Sequence, residues 1–218
     1  MNTNVWRKIT ILVTFVMIIF SSVIMKQNWI YIVPLCVSLV VMYLQADVNR
    51  YGYLLGAINS VYYGVVYISF GIYAGAVSAF LVSFPLQLVT FFNWKKHACG
   101  NSVMLKKMSA KMRILVLTFL LVIWLTVFFV LKSVGSLYAV LDNTVTITGI
   151  SCSILTLLAY IEYAPLWLIN SCLVIFLNIQ LVSNEPTQLS YLIYSLYCMY
   201  CTIVAYINVM KLYRAQNN

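Results

Sequence analysis

Between Arg113 and Lys132 the chain reads Ile114-Leu-Val-Leu-Thr-Phe-Leu-Leu-Val-Ile-Trp-Leu-Thr-Val-Phe-Phe-Val-Leu131, eighteen residues without a charge, a glycine or a proline. About 20 apolar residues of helix cross the hydrocarbon core of a bilayer, and a buried strand needs far fewer, so this run predicts a membrane-spanning helix. The rest of the chain agrees with it. Of the 218 residues 64% are hydrophobic and only 8% charged, whereas a soluble domain carries about 25% charged residues. Mean hydropathy is +0.97. So few charges cannot coat a water-soluble globule, and the disordered, collagenous and secreted disulfide-framework classes fall with the same numbers. A β-barrel does not fit either, because its strands alternate apolar and polar residues and the runs here are continuous.

Spans laid on the apolar runs predict eight helices, at 9–25, 29–45, 53–70, 74–93, 114–131, 143–161, 164–180 and 189–209. Cytoplasmic loops hold the excess of Lys and Arg, and this sets the orientation. With an inner N-terminus, Arg7, Lys8, Arg50, Lys95, Lys96, Lys106, Lys107, Lys111, Arg113, Lys211 and Arg214 fall inside, and only Lys26 and Lys132 outside. Both termini are therefore expected in the cytoplasm. The net charge of +9 follows from the same bias. The basic stretch from Lys95 to Arg113 reads as an orientation signal able to touch anionic lipid heads, and not as a nucleic-acid interface, since no folded reading head accompanies it. The first span is expected to be retained, because Met25-Lys26 lacks a small-x-small cleavage pattern.

Ile58-Asn59-Ser60 recurs as Ile169-Asn170-Ser171, 111 residues later, each near the middle of its span. Asn93-Trp94-Lys95 and Asn208-Val209-Met210-Lys211 close the fourth and eighth spans at an offset of 115, which asks for inserted residues near 183–188. The pattern predicts two bundles of three helices. A three-helix unit duplicated directly would insert upside down, and one linker helix restores its direction, which is a transporter architecture. The expected organisation is an accessory helix (1–28), a first bundle (29–94), a basic loop with the linker helix (95–139), a second bundle (140–211) and a tail (212–218).

A polar side chain in hydrocarbon costs free energy unless it is paired or faces a wet cavity, so such residues point to function. Ser83, Gln87, Thr90 and Trp94 share one face of the fourth span, and Asp142, Thr146, Gly149, Ser153 and Thr156 one face of the sixth. Asn59, Tyr62 and Tyr63 sit in the third, and Trp167, Asn170 and Ser171 in the seventh. Ser, Thr and Asn also serve as interhelical glue. Together the stripes suit a pathway for a flat, polyhydroxylated, neutral or weakly charged solute. Pro85 is expected to kink the fourth span beside Gln87 by freeing the carbonyl of Leu81. Only four acids occur, Asp47, Asp142, Glu162 and Glu185, none placed at the midplane, which favours facilitated diffusion over ion coupling. Enzyme chemistry lacks its residues, since the one histidine, His97, lies in the basic loop. No metal or cofactor is expected. Cys198-Met-Tyr-Cys201 has a ligand-like spacing but reads as packing inside an apolar helix.

These residues resemble a known family. Ser83-Phe-Pro-Leu-Gln-Leu-Val-Thr-Phe-Phe-Asn-Trp-Lys-Lys96 is similar to the fourth-helix signature of the PnuC vitamin transporters, Asp142-Asn-Thr-Val-Thr146 to the opening of their sixth helix, and Trp167-Leu-Ile-Asn170 to a stretch of their seventh. Tyr53, Gly56 and Asn59 match a pattern of the third, and the likeness runs in order over about residues 30 to 214. The resemblance implies a fold related to the SWEET sugar transporters and a homotrimer in the bacterial inner membrane. It implies uptake of nicotinamide riboside, or of thiamine, riboflavin or a deoxynucleoside, by facilitated diffusion, with a cytosolic kinase trapping the cargo. Carried over, Gln87, Asp142, Thr146, Asn170 and Asn208 would bind ribose and amide groups, with Trp94 and Trp167 as aromatic walls, and Asn59 joins them as a substrate-binding candidate. One position departs: the family's Trp-x-x-Trp at the start of the seventh helix reads Ala164-Pro-Leu-Trp167 here.

Overall fold

A backbone in hydrocarbon must satisfy its own hydrogen bonds, and continuous apolar runs do so as helices. The structure, a computed structural model, describes residues 3–96, 98–99, 102–133, 135 and 138–217. Helices lie at all eight expected places: α1 (Thr3–Ile24), α2 (Trp29–Ala46), α3 (Tyr51–Ser69), a fourth span built from α4 (Tyr73–Ser78) and α5 (Phe84–Lys96), α6 (Ala110–Ser133), α7 (Ala139–Leu157), α8 (Tyr163–Asn184) and α9 (Leu189–Asn217). Among the described residues seven helical segments are long and apolar enough to cross a membrane. The long helix outside that set is α3, whose 19 residues include Asn59, Ser60 and three glycines. The chain is a multi-pass, all-helical membrane protein apart from a two-residue antiparallel ladder, β1 (Ala98–Cys99) with β2 (Ser102–Val103). His97 lies outside the described residues.

The fourth span is not the simply kinked helix that Pro85 predicts. Between α4 and α5, residues Ala79–Ser83 form a π-helical turn in which the Phe84 N–H reaches Ala79 O. Pro85 has no N–H to return to Leu81, and the widened turn ahead of it absorbs the mismatch.

Side-chain packing closes a ring of spans. α2 packs on α3, α3 on α4 and α5, these on α7, α7 on α8, α8 on α9, and α9 back on α2. α1 lies against α9 and α2, and α6 against α7. The α6 contact is specific: Trp124 Nε1 donates to Thr144 Oγ1 at 3.0 Å, and Asn143 Nδ2 to Trp124 O at 2.8 Å. α1 is fixed by Arg7, which pairs with Asp47, donates to Tyr43 O at 3.1 Å and lies over the Tyr43 ring.

Corresponding places in the two three-helix segments share unusual geometry. Helices α2 and α7 are each followed, two residues on, by a residue in the left-handed region, Val48 at φ 55° and Ala159 at φ 57°, as α1 is by Lys26 at φ 52°, a conformation normally left to glycine. The closing bonds match as well, Asn49 N to Leu44 O at 3.0 Å and Tyr160 N to Leu155 O at 2.9 Å. Near the end of α5 and nine residues before the end of α9, Asn93 Nδ2 donates to Leu157 O at 2.9 Å and Asn208 Nδ2 to Ala46 O at 2.8 Å. Donors are thus 115 residues apart and acceptors 111, the two offsets read in the sequence.

The end of the bundle that carries most of the basic residues is sealed. Val103, Leu105 and Met108 are buried with Trp94, Tyr163, Ala164 and Val209 in one apolar cluster. The backbone of Lys106 bonds both ways with the α7–α8 turn, its N–H to Ala159 O and its C=O to Ile161 N, each at 2.8 Å. Met108 N–H and Arg113 both reach Glu162 Oε1. Gln216 accepts from Leu105 N–H and donates to Val103 O. This stretch, expected only as a charged loop, is therefore a packed structural element. The expected tail is helical to Asn217 for the same reason, since Leu212 and Tyr213 pack on that cluster.

Candidate functional site

The ring of spans encloses a cavity of about 290 Å³, at the small end of the range for small-molecule pockets. Four helices of the sequence stripes meet there. All five residues of the α7 stripe line it, Asp142, Thr146, Gly149, Ser153 and Thr156, together with Trp167, Asn170 and Ser171 of α8. From the first segment come Asn59 and Tyr63 of α3, and Ser83, Gln87 and Thr90 of the fourth span. Tyr62 is 46% exposed on the outside of the bundle and does not contribute.

The amides are held by neighbouring helices. Asn59 is 4% exposed, and its Nδ2 donates to Pro34 O at 3.0 Å and to Ser38 Oγ at 2.6 Å. Its Oδ1 is buried with no hydrogen-bond partner among the described residues. Asn170 sits equivalently in the second segment, with the Thr148 hydroxyl 2.5 Å from its amide and 2.7 Å from Thr144 O. Gln87 Nε2 donates to Ser60 Oγ at 2.8 Å, and Gln45 Nε2 lies 3.5 Å from Gln87 Oε1. Asp142 binds across the seam between the segments: Oδ2 accepts Ala74 N–H and Oδ1 accepts Gly75 N–H, both at 3.2 Å, and Thr146 Oγ1 is 3.4 Å from Oδ1. A carboxylate on the free N–H groups of α4 satisfies donors that hydrocarbon would leave stranded.

Trp94 and Asn208 lie elsewhere. Trp94 is fully buried below the cavity, with Nε1 on Thr156 O at 3.1 Å and its ring edge against Tyr53 at 4.8 Å. Asn208 is engaged with Ala46 O. Both close the basic end, while Ile72, Leu177 and Leu181 form a second apolar cluster at the opposite end. Six of the eight expected residues thus share one cavity, and two hold its floor.

Other lining residues escaped the sequence reading, among them Gln45, Ser38, Tyr67, Asn178, Tyr194 and Cys198. A signal was present. Shifting known stripe residues by 111 pairs Thr156 with Gln45, Ser153 with Met42 and Gly149 with Ser38, and all of these line the cavity.

Residues 28–210 match the family model for "Nicotinamide mononucleotide transporter". The chain belongs to that family. The matched stretch begins after α1 has ended, so α1 stands outside it. The chain is similar to a "Nicotinamide riboside transporter PnuC" of Neisseria mucosa, 29% identical over 170 residues, covering 74% of this chain and 64% of that relative's length. A solved structure, "Crystal structure of the Vitamin B3 transporter PnuC", shares the fold with a TM-score of 0.84 at 23% identity, over 97% of this chain and 93% of that one. Against the family pattern, Ala164 stands where a tryptophan is expected and is 1% exposed in the floor cluster, outside the cavity lining. Trp167 keeps its place in the wall.

Proposed function

We propose that this protein carries a vitamin-type nucleoside, nicotinamide riboside, across the bacterial inner membrane by facilitated diffusion, and is not an enzyme. The observation that carries the reading is the single cavity in which Asn59, Gln87, Asp142, Thr146, Trp167 and Asn170 converge from both three-helix segments. Amides and hydroxyls match the hydrogen-bonding edge of a ribose and a carboxamide, and the Trp167 indole offers a face for a flat ring. The matched bonds of Asn93 and Asn208, at the two offsets read in the sequence, support a duplicated three-plus-one-plus-three architecture with α6 as linker.

Uncoupled transport is supported by where the acids are spent. Asp47 pairs with Arg7, Glu162 with Arg113, Glu185 accepts from Gln188, and Asp142 caps α4. Three of the four acids are thus engaged outside the cavity, and the one that lines it, Asp142, already caps α4, which favours uncoupled transport. The same proposal places both termini in the cytoplasm, leaves retention to a kinase, and assembles the protein as a homotrimer; α6, whose apolar side chains are largely exposed, supplies a face for such contacts.

The experiment is thermal stabilisation of detergent-purified protein by nicotinamide riboside, thiamine, riboflavin and deoxynucleosides, because a ligand that binds only the folded state raises its apparent stability. A shift with nicotinamide riboside supports the reading, and a shift with another compound alone reassigns the cargo. No shift from any of them, for folded protein, favours a non-transporting membrane scaffold. Gln87→Ala and Asn170→Ala should lower uptake while inserting normally, and unchanged uptake in both removes the site.

A further inference from the structure

α3 carries glycine at 52, 56 and 64, and the three do different work. A Cβ at Gly52 would fall 2.9 Å from Gln45 Cγ, and one at Gly64 would fall 2.4 Å from the Phe80 ring, so both let a neighbouring helix pack close. At Gly56 the obstacle is the end of a cavity side chain. A Cβ there would lie 2.0 Å from Gln87 Oε1 and 3.1 Å from Gln87 Cδ, with Val41 Cγ1 next at 3.2 Å. Carbon and oxygen do not approach so closely, so any side chain at 56 displaces the carboxamide. The move would break the 2.8 Å bond from Gln87 Nε2 to Ser60 and the approach of Gln45. The backbone need not shift, because the displaced atom ends a flexible chain. Helix packing alone does not demand glycine at this position, since the corresponding place 111 residues on, also in the cavity wall, holds Trp167.

We propose that Gly56 is a positioning residue: its missing side chain seats the Gln87 carboxamide against Ser60 in the cavity wall, and so sets affinity for a solute with hydrogen-bonding groups. This rests on the reading of Gln87 as a substrate-binding residue. The test is a double-mutant cycle, Gly56→Ala, Gln87→Ala and both together, with nicotinamide riboside as probe and calorimetric affinity beside unliganded melting as readouts. Each single variant should weaken binding about tenfold, the scale of one or two lost hydrogen bonds. The double variant should bind within about twofold of Gln87→Ala, because once Gln87 is short the new methyl meets nothing closer than Val41. Unliganded Gly56→Ala should melt within a few degrees of the parent.

Normal binding by Gly56→Ala, with Gln87→Ala weakened, overturns the proposal and leaves the site reading intact. An equal further loss in the double variant also overturns it, since Gly56 would then act apart from Gln87. Normal binding by Gln87→Ala, or a parent that binds no nicotinamide riboside, removes the reading of Gln87 and the proposal with it.

Discussion

On the proposed three-plus-one-plus-three architecture, the two three-helix segments share a backbone plan and differ in what they present to the cavity. In the first, α3 presents nothing at Gly56 and α5 presents Gln87; at the corresponding places of the second, α8 presents Trp167 and α9 presents Thr202. Thr202 is 3% exposed, with its hydroxyl on Met199 O, and takes no part in the cavity. Volume that one segment assigns to its third helix the other assigns to its second. The cavity therefore has the Gln87 carboxamide on one side and the Trp167 indole on the other, while Asn59 and Asn170 face it from both. A frame that repeats fixes where side chains project, and substitution at paired positions then gives a bound solute one preferred orientation.

The seams between segments differ in the same way, and this gives the largest expected effect. Asp142 spans one seam with a charge-assisted cap, while the seam between α2 and α9 is joined by neutral groups, including Tyr191 OH on Tyr31 O at 3.0 Å. Asp142→Ala strands two N–H groups of α4 and should cost about 2–4 kcal/mol of stability in detergent unfolding, against about 0.6–1.7 kcal/mol for Tyr191→Phe. Equal losses would erase the distinction between the seams.

Next in size is a test of equivalence. Asn93→Ala and Asn208→Ala each remove a bond to the last turn of the first helix of a segment, and each should cost about 0.6–1.7 kcal/mol in the same measurement. A difference between them well beyond that range would break the correspondence drawn from the matched offsets. The smallest effect is expected at the second segment's counterpart of Gln87. Thr202→Val should leave ligand affinity within about twofold of the parent, because an intrahelical hydroxyl bond of this kind contributes little. A loss matching that of Gln87→Ala would restore symmetry to the site.

The helices and the polar stripes of the cavity wall were legible because lipid enforces simple rules. Every polar residue of α7 on one face, from Asp142 to Thr156, had to find water or a partner, and a 3.6-residue period is enough to place them together. Trp94 and Asn208 share that logic and end up outside the cavity. Periodicity fixes the face of a helix but not how far along it the cavity extends, and the floor begins one turn after Thr90. The residues Gln45, Tyr67 and Cys198 were hidden because an isolated polar or aromatic residue in a span looks the same whether it packs or lines a cavity. The basic stretch was misjudged in weight, since its three buried apolar residues lie among lysines and pack in a cluster with residues distant in the chain, which composition does not reveal.

That stretch also bears on how the molecule is made. Leu105 N–H and Val103 O are satisfied by Gln216, 111 and 113 residues further along the chain, and Lys106 by the turn at Ala159 and Ile161. At synthesis rates of about 5–20 residues per second, the first segment is in place on the order of ten seconds before its end can close. During that interval Val103, Leu105 and Met108 meet only part of their core, since Tyr163, Ala164 and Val209 lie later in the chain. Assembly is therefore ordered in time: the second segment folds onto a waiting first one, and the last helical turn of the chain completes a part of the molecule begun half a protein earlier.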